Sequence, residues 1–196
     1  RLMPTPLPHL IGGCTHCARE LALGPKPIFQ LHPAAKILLI SQAPGRIAHS
    51  KGVAFKDPSG ARLRQWLGVT AAEFYTPEHF AILPMAFCYP GKASSGDLPP
   101  PAACAPKWHA QCLEFMPKAK LRLYIGQYAQ RYYLGKERKR NLTETVRAFR
   151  EYGPEAIPLP HPSPLNNRWL KQHPWFEQEA VPYLQEQVSQ ILGKGQ

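Results

Sequence analysis

Four short runs of apolar residues, each followed by glycine, proline or polar residues, recur along the chain and predict β-strands buried on both faces. They occupy residues 36–41, 80–87, 121–125 and 156–159. The second run contains Pro84, which has no backbone N–H to give to a sheet, so this run is the weakest strand pattern of the four.

The segments between and after these runs space their apolar residues as one face of a helix does. The predicted helices cover residues 60–67, 104–116, 127–134, 143–152 and 175–192, and Asp57 or Ser59 would cap the first of them. Strands that alternate with helices indicate a parallel sheet covered on both sides. The sequence therefore predicts an α/β protein with three layers, α/β/α, around a central four-stranded parallel sheet.

The length of 196 residues is that of one ordinary domain, and we expect residues 1–196 to form it. Residues 1–34 are rich in Pro, Gly, His and Cys and show no sustained period, which predicts an irregular N-terminal lobe that carries cysteines. Residues 46–57 are polar and contain Gly52, and we expect a loop there.

Two loops contain most of the residues suited to chemistry, and both follow predicted strands. The first strand runs into Gln42, Ala43, Pro44 and Gly45. The fourth is followed by a proline-rich turn that presents His161, Ser163, Asn166 and Arg168. Each X-Pro pair restricts the residue before it, so this turn is stiff before any ligand arrives. Parallel strands bring both loops to the carboxyl edge of the sheet, where open α/β proteins bind ligands.

Charge points to a polyanionic partner. The chain has 24 Lys and Arg against 13 Asp and Glu, a net charge of +11, and a basic run at residues 136–140 suits a phosphate backbone as well as a solvated surface. Neither a run of about 20 apolar residues nor a signal peptide is found, so we expect a soluble, cytoplasmic protein with no membrane partner. Without a GxGxxG or a GxxxxGK[ST] motif, we expect no nucleotide cofactor.

Five cysteines in a chain of this size indicate metal or cluster binding rather than disulfides. Cys14 and Cys17 form a CxxC pair, which can hold two positions of a metal centre. A redox dithiol of the thioredoxin type would follow a strand, and no strand pattern precedes Cys14. The pair therefore favours a metal or a cluster, whose remaining ligands lie elsewhere.

Two motifs together resemble those of the uracil-DNA glycosylase superfamily. They are SQAPG at 41–45, with Gly52 and Phe55 downstream, and HPSPL at 161–165; YIGQYA at 124–129 is similar to the strand and helix before the second motif. Within the superfamily the chain looks closest to the iron–sulfur branch, similar to the family 4 enzymes. The resemblance implies the fold of that superfamily and covers most of residues 14–190.

The resemblance also implies a ligand set. Iron–sulfur members carry a CxxC, a cysteine after the second strand and, with fifteen residues in between, a fourth cysteine; here these positions are Cys14, Cys17, Cys88 and Cys104. Four thiolates so arranged suit a [4Fe-4S] cluster, with tetrahedral zinc as the alternative. Cys112 is then a spare cysteine, expected in the core.

The roles implied for the two motifs are those of base excision. His161 would donate to a carbonyl oxygen of the base, with Gln42 at the same edge and Phe55 stacked on the flipped ring. Leu165 would fill the space left in the duplex. Two groups of residues complete the implied site. The base would be contacted by Ala43, Pro44 and Gly45, and the flanking phosphates by Ser163, Asn166 and Arg168.

The sequence departs from the family at its carboxylates. Ala43 stands where the best-known branch has a water-activating aspartate, and Gln42 stands where family 4 has a glutamate. An acidic pair of that branch falls at Ala48 and His49, which makes His49 a candidate base or water-positioning residue, with a plain solvent-exposed histidine as the alternative. The asparagine that reads the pyrimidine edge is absent, with Pro84 or a neighbour in its place.

These features predict a monomeric, monofunctional DNA glycosylase that releases uracil or another deaminated or damaged base from DNA in base excision repair. The alternative is an inactive DNA-binding member of the same fold with a structural cluster. A third reading is a zinc-stabilised nucleic-acid protein whose HPSPL turn is only structural.

Overall fold

A sheet of four parallel strands forms the centre of the computed structural model, which describes residues 3–195. The strands are β1 (Ile37–Ile40), β2 (Phe80–Ile82), β3 (Leu121–Ile125) and β4 (Ala156–Leu159), in the order β2-β1-β3-β4. All pairings are parallel, as the alternation of strands and helices predicts. Because β2 and β3 lie on opposite sides of β1, the strand order reverses there, and a crevice opens at the carboxyl edge.

Helices cover both faces of the sheet. They are α1 (Leu7–Gly12), α2 (Arg46–Lys51), α3 (Pro58–Leu67), α4 (Ala71–Phe74), α5 (Cys104–Phe115), α6 (Gln127–Leu134), α7 (Leu142–Arg147), α8 (Asn167–Gln172) and α9 (Val181–Ile191). Ile37 and Leu39 of β1 pack into a core with α3, α4, α7 and α9, whereas Leu38 and Ile40 pack into a second core with α1, α5 and α6. Every residue of β1 is buried, because alternate side chains enter different cores. The predicted α/β/α architecture is confirmed.

The second strand is shorter than predicted. It ends at Ile82, and Pro84 has no N–H with which to continue the ladder. The chain nevertheless stays beside the extension of β1, because Leu83 donates to the carbonyl of Leu39 and Met85 to that of Ser41. This path carries Pro84 past the sheet to the carboxyl edge.

The expectation of a loop after β1 is wrong in part, and the N-terminal lobe contains one short helix. Residues 46–51, expected as part of a polar loop, form α2, which buries only Ala48 and so lacks the apolar stripe that marks a helix. The N-terminal lobe contains α1, which follows Pro6 as N-cap and carries Pro8 in its first turn, where a missing N–H costs nothing; its Ile11 is fully buried.

Two predicted helices are interrupted. The helix expected over 143–152 is α7 followed by a 3₁₀ turn, Phe149–Tyr152. The helix expected over 175–192 begins as a π-helical turn, Phe176–Ala180, before α9. Pro182 cannot donate the bond that an α-helix needs at that point, which accounts for the altered turn.

The part of the chain between residues 3 and 195 contains no helix with the length and apolar character needed to cross a membrane.

Candidate active site

The loops after β1 and β4 meet at the carboxyl edge of the sheet around one cavity of about 410 Å³. Nine of the residues singled out from the sequence line it: Gln42, Ala43, Pro44, Gly45, Phe55, His161, Ser163, Leu165 and Asn166. The segment after β2 contributes Pro84 to the same wall. The parallel sheet thus brings together residues that lie more than a hundred positions apart in the chain.

His161 has a defined tautomer. The backbone N–H of Ser163 donates to its Nδ1 at 3.1 Å, and since an N–H can only donate, Nδ1 carries no proton. The neutral ring therefore holds its proton on Nε2 and can donate from there into the cavity that it lines. Burial lowers the pKa of His161 below its ordinary value, while the charge of Asp57 opposes this shift. At neutral pH His161 is a neutral hydrogen-bond donor.

Two side chains hold the turn that carries His161. The amide of Asn166 donates to the carbonyl of His161 at 2.8 Å. Arg62 of α3 donates to the carbonyls of Pro162 and Ser163, at 3.4 and 3.3 Å, and to Oδ1 of Asn167 at 2.7 Å. No pattern in the sequence links Arg62 to a turn a hundred residues away, so its role could not be predicted.

Phe55 forms a buried wall of the cavity in an unusual backbone conformation. Its φ of 62° lies in the left-handed region, which costs a non-glycine residue about 1–3 kcal/mol. The guanidinium of Arg64 donates to the Phe55 carbonyl at 2.9 Å, and the ring packs edge-on against Phe74 at 5.9 Å between centroids. A strained residue held by several contacts is typical of a functional site.

Two predicted site residues lie outside the cavity lining. The ring of His49 packs against Tyr89, with centroids 5.9 Å apart, and its buried Nδ1 has no hydrogen-bond partner among the described residues. Arg168 is exposed in α8 rather than in the turn, because the helix begins at Asn167. The structure therefore groups neither residue with the side chain of His161.

Two carboxylates line the cavity, and neither was assigned a catalytic role from the sequence. Asp57 caps α3 by accepting the amide of Gly60 at 2.8 Å, which confirms one of the two predicted caps. Asp97 comes from the loop after Cys88. A cap residue has a recognisable pattern. In contrast, nothing in the sequence of the loop after Cys88 indicates that Asp97 lies near the end of β1.

A buried histidine fixes the wall formed by Pro84. Nε2 of His109 donates to the Pro84 carbonyl at 2.8 Å, so its Nδ1 accepts from the hydroxyl of Tyr133. His109 is 1% exposed, and burial lowers its pKa to about 4. The carbonyl of Pro84 is therefore held in place by a neutral side chain.

Replacing His109 with glutamine should change how stability depends on pH. Because the pKa of His109 is near 4 in the folded chain and about 6.5 when unfolded, the unfolded state binds more protons between these values. The stabilisation is complete above pH 6.5 and is lost progressively as pH falls from 6.5 to 4, by up to about 3 kcal/mol. Urea unfolding from pH 7.5 to 4 should give a flatter curve for His109→Gln than for the wild type. Parallel curves of stability against pH for the two proteins would contradict the lowered pKa of His109.

The four predicted cysteine ligands line a second pocket. Cys14 and Cys17 lie just after α1, Cys88 follows the β2 segment, and Cys104 begins α5. Sγ of Cys14 accepts hydrogen bonds from Trp108 Nε1 at 3.3 Å and from the His16 amide at 3.5 Å. Such N–H···S bonds are those that stabilise a charged cluster sulfur.

The four cysteines of this pocket offer sulfur atoms, the donors that a zinc ion or an iron–sulfur cluster takes. Burial raises the pKa of Cys104 to about 12 and raises those of Cys17 and Cys88, with the neighbouring thiols adding to each shift. Metal binding would replace these protons. No three His, Cys, Asp or Glu side chains within residues 3–195 surround a point suited to a single metal ion. Cys112 is fully buried in the core, as expected of a spare cysteine.

A histidine donor and an aromatic wall line one cavity at the carboxyl edge of the sheet, which is where open α/β proteins bind ligands. The chain belongs to the uracil DNA glycosylase superfamily, whose family model matches residues 29–185. The predicted superfamily is thereby confirmed.

Among solved structures, the chain is similar to a protein of Methanosarcina acetivorans, described as a candidate uracil DNA glycosylase and solved by solution NMR. The two share 17% identity over 81% of this chain and 94% of the other, with a TM-score of 0.49. At this distance the likeness carries no information about activity.

Proposed function

We propose that the protein is a monofunctional DNA glycosylase that hydrolyses the N-glycosidic bond of uracil or another deaminated or damaged base in base excision repair. The observation that carries the proposal is the tautomer of His161, whose proton is held on Nε2 by the Ser163 amide. Membership of the uracil DNA glycosylase superfamily supports the same class of reaction.

His161 would lower the barrier by stabilising the departing base. When the bond between C1′ and the base nitrogen breaks, its electron pair goes to the base, and negative charge develops on a ring carbonyl oxygen. A fixed neutral donor is suited to this charge, because it is already oriented and loses no proton in the step. The sugar becomes cationic, and water then adds to C1′.

The walls of the cavity would hold the flipped base. Phe55 offers a ring for stacking, while Gln42, Ala43, Pro44 and Gly45 surround the edge of the base. Pro84 provides no side-chain donor or acceptor, and its carbonyl is bonded to His109. The amide that would select a pyrimidine is therefore missing, which is why the substrate is proposed as a class of bases.

DNA would be held by the turn after β4 and by the basic surface. Leu165 is 70% exposed at the mouth of the cavity, as an apolar side chain that enters a duplex must be. Ser163, Asn166 and Arg168 would contact phosphates on either side of the flipped nucleotide. The net charge of +11 favours this polyanion.

No lysine lines the cavity in the described part of the chain, so a Schiff base with the sugar has no nucleophile there. The proposed reaction is therefore hydrolysis without strand cleavage.

A [4Fe-4S] cluster is proposed at Cys14, Cys17, Cys88 and Cys104. When bound, it would supply a covalent link between chain segments rather than chemistry at the base. The cysteines would join the N-terminal lobe to the β2 segment and to the start of α5, whose Trp108 already donates to Cys14.

Anaerobically purified protein should be brown and contain about four iron and four sulfide per chain. Cys104→Ser should lose the colour and most of the iron, because it removes one sulfur ligand. The matched control is Cys112→Ala, because Cys112 is buried in the core and does not line the pocket, so that its loss should leave the iron content unchanged. Colourless protein with one zinc per chain would contradict the cluster and support zinc.

The second candidate is a DNA-binding protein that has lost catalysis. It is favoured by Ala43, which has no side chain able to activate water, and by Pro84, which cannot read a base with its side chain. This protein would bind DNA through the same basic surface.

Base release from a panel of oligonucleotides separates the two candidates. Each would carry uracil, hypoxanthine, xanthine or an alkylated base, in single-stranded and duplex form, and abasic sites would be detected by cleavage. Release of any one base supports the glycosylase. Salt-sensitive DNA binding without release across the panel would contradict it and support the binding protein.

A further inference from the structure

The hairpin that follows Cys88 brings a carboxylate close to the loop after β1, whose residues 41–45 include no carboxylate. Oδ2 of Asp97 lies 3.7 Å from the place that a β-carbon on Gly45 would occupy. Gly45 ends the loop that contains Ala43, the position at which the best-known branch of the superfamily has a water-activating aspartate. Asp97 and this loop line the same cavity.

The position of Asp97 is set by a short hairpin. Lys92 and Asp97 form an antiparallel bridge, the amide of Ala93 donates to the Gly96 carbonyl at 3.0 Å, and that of Leu98 donates to the Gly91 carbonyl at 2.8 Å. A β-carbon on Gly96 would lie 3.2 Å from Cδ1 of Leu165. The hairpin therefore bridges the loop after β1 and the turn after β4.

The Asp97 carboxylate is available for chemistry. Among residues 3–195 it has neither a hydrogen-bonded side chain nor a basic partner within ion-pair distance. Partial burial raises its pKa above the ordinary value. A carboxylate that is unpaired and partly desolvated is a better proton acceptor than one held in a salt bridge.

The other candidates for this role are less suitable. Oδ1 of Asp57 accepts the Gly60 amide and so caps α3. The charge of Asp57 also acts on His161, which indicates that it lies on the side of the cavity where negative charge develops on the base. His49 does not line the cavity, and its ring packs against Tyr89 with centroids 5.9 Å apart.

We propose that Asp97 is the catalytic base that accepts a proton from the water attacking C1′. This inference rests on the proposed glycosylase function and names the group that would replace the missing aspartate. A flipped base occupies the cavity while its sugar stays at the mouth, beside Leu165. Asp97 is exposed at that mouth, where the attacking water must lie.

The step balances in atoms and charge. The bond between C1′ and the base nitrogen breaks, and its electron pair leaves with the base. Water forms a bond to C1′ through its oxygen and gives one proton to the Asp97 carboxylate. The abasic sugar keeps the hydroxyl group, the base anion takes a proton from solvent, and Asp97 returns its proton to solvent.

The test compares single-turnover base release by four proteins, using the oligonucleotide on which the wild type is most active. Asp97→Asn keeps the shape of the side chain and removes the base, so release should fall by about 10²–10³-fold. Glu114→Gln is the matched control, because Glu114 is an exposed carboxylate of α5 that lies outside the cavity lining, and its rate should stay within about twofold of the wild type. Asp57→Asn tests the competing carboxylate and should lose less than Asp97→Asn.

Two further readouts separate a catalytic role from a structural one. Asp97→Asn should keep the melting temperature and the DNA affinity of the wild type. In Asp97→Ala, added formate should restore part of the lost rate, because a small carboxylate can occupy the space left by the side chain.

The outcomes distinguish this inference from the proposed function. An active wild type with an unchanged Asp97→Asn rate overturns the role of Asp97 alone, and so does a larger loss in Asp57→Asn. A wild type that releases no base from any substrate overturns the proposed function and this role together.

Discussion

His161→Ala is expected to lower base release by about 10²–10³-fold, the loss that follows removal of one preorganised donor to a developing negative charge. The reason is geometric. The Ser163 amide holds the proton on Nε2, and Arg62 and Asn166 fix the turn, so the donor is in place before the substrate arrives. Single-turnover release on the best substrate measures the effect directly.

The matched control is His9→Ala, which removes an exposed histidine of α1 far along the chain from the cavity and should leave the rate unchanged. DNA affinity should change by only a few-fold in His161→Ala, because phosphate contacts supply most of it. An equal loss of affinity and rate would remove the catalytic assignment and make His161 a binding residue.

Gly60→Ala is expected to destabilise the chain by at least about 3 kcal/mol, at the upper end of the range for overpacking. A β-carbon at Gly60 would lie 1.7 Å from the carbonyl oxygen of Phe55, a contact with backbone that no side-chain rotation can relieve. The segment 55–60 must move, and with it the ring proposed to stack on the base and the Asp57 cap. Urea unfolding gives the loss of stability, and base release should fall as well.

Gly12→Ala is the matched control for that change. Gly12 lies in α1, and no atom lies within 4 Å of the place that a β-carbon on it would occupy, so alanine should be neutral or stabilise the helix slightly. Equal stability of Gly60→Ala and the wild type would contradict the close approach of α3 to Phe55.

The fold could be predicted from the sequence wherever burial imposes a strong pattern. β3 and β4 have the predicted bounds, because a strand covered on both faces is a continuous apolar run between turns. α2 could not be predicted, since it buries one residue and its polar surface looks like that of a loop. The π-helical turn before α9 depends on one missing N–H at Pro182, which does not alter the amphipathic period around it.

The candidate site was predictable where its residues share a motif. The loop after β1 and the turn after β4 were recognisable, and the parallel sheet brings them together as expected. The residues that surround and hold these motifs could not be predicted, because Arg62, His109 and Asp97 each lie close to groups that are distant in the sequence. Such contacts arise from packing, and a single sequence has no periodic signal for them.

The cysteine pocket could be predicted in part from a motif in the sequence. The CxxC spacing identified Cys14 and Cys17, but Cys88 and Cys104 were assigned only through the resemblance, and the fold places them beside the pair. For His49, whose place in the motif indicates a candidate base, the structure shows a ring that packs against Tyr89 and does not line the cavity.

The most direct test of glycosylase activity is to run the reaction in ¹⁸O-labelled water and measure, by mass spectrometry, the free base and the abasic sugar produced from the best oligonucleotide. We predict one free base for each abasic site, with the label on C1′ and an intact strand, as hydrolysis without a Schiff base requires. Strand cleavage through a covalent adduct that borohydride traps, or DNA binding with no free base from any substrate, would contradict the proposed hydrolysis.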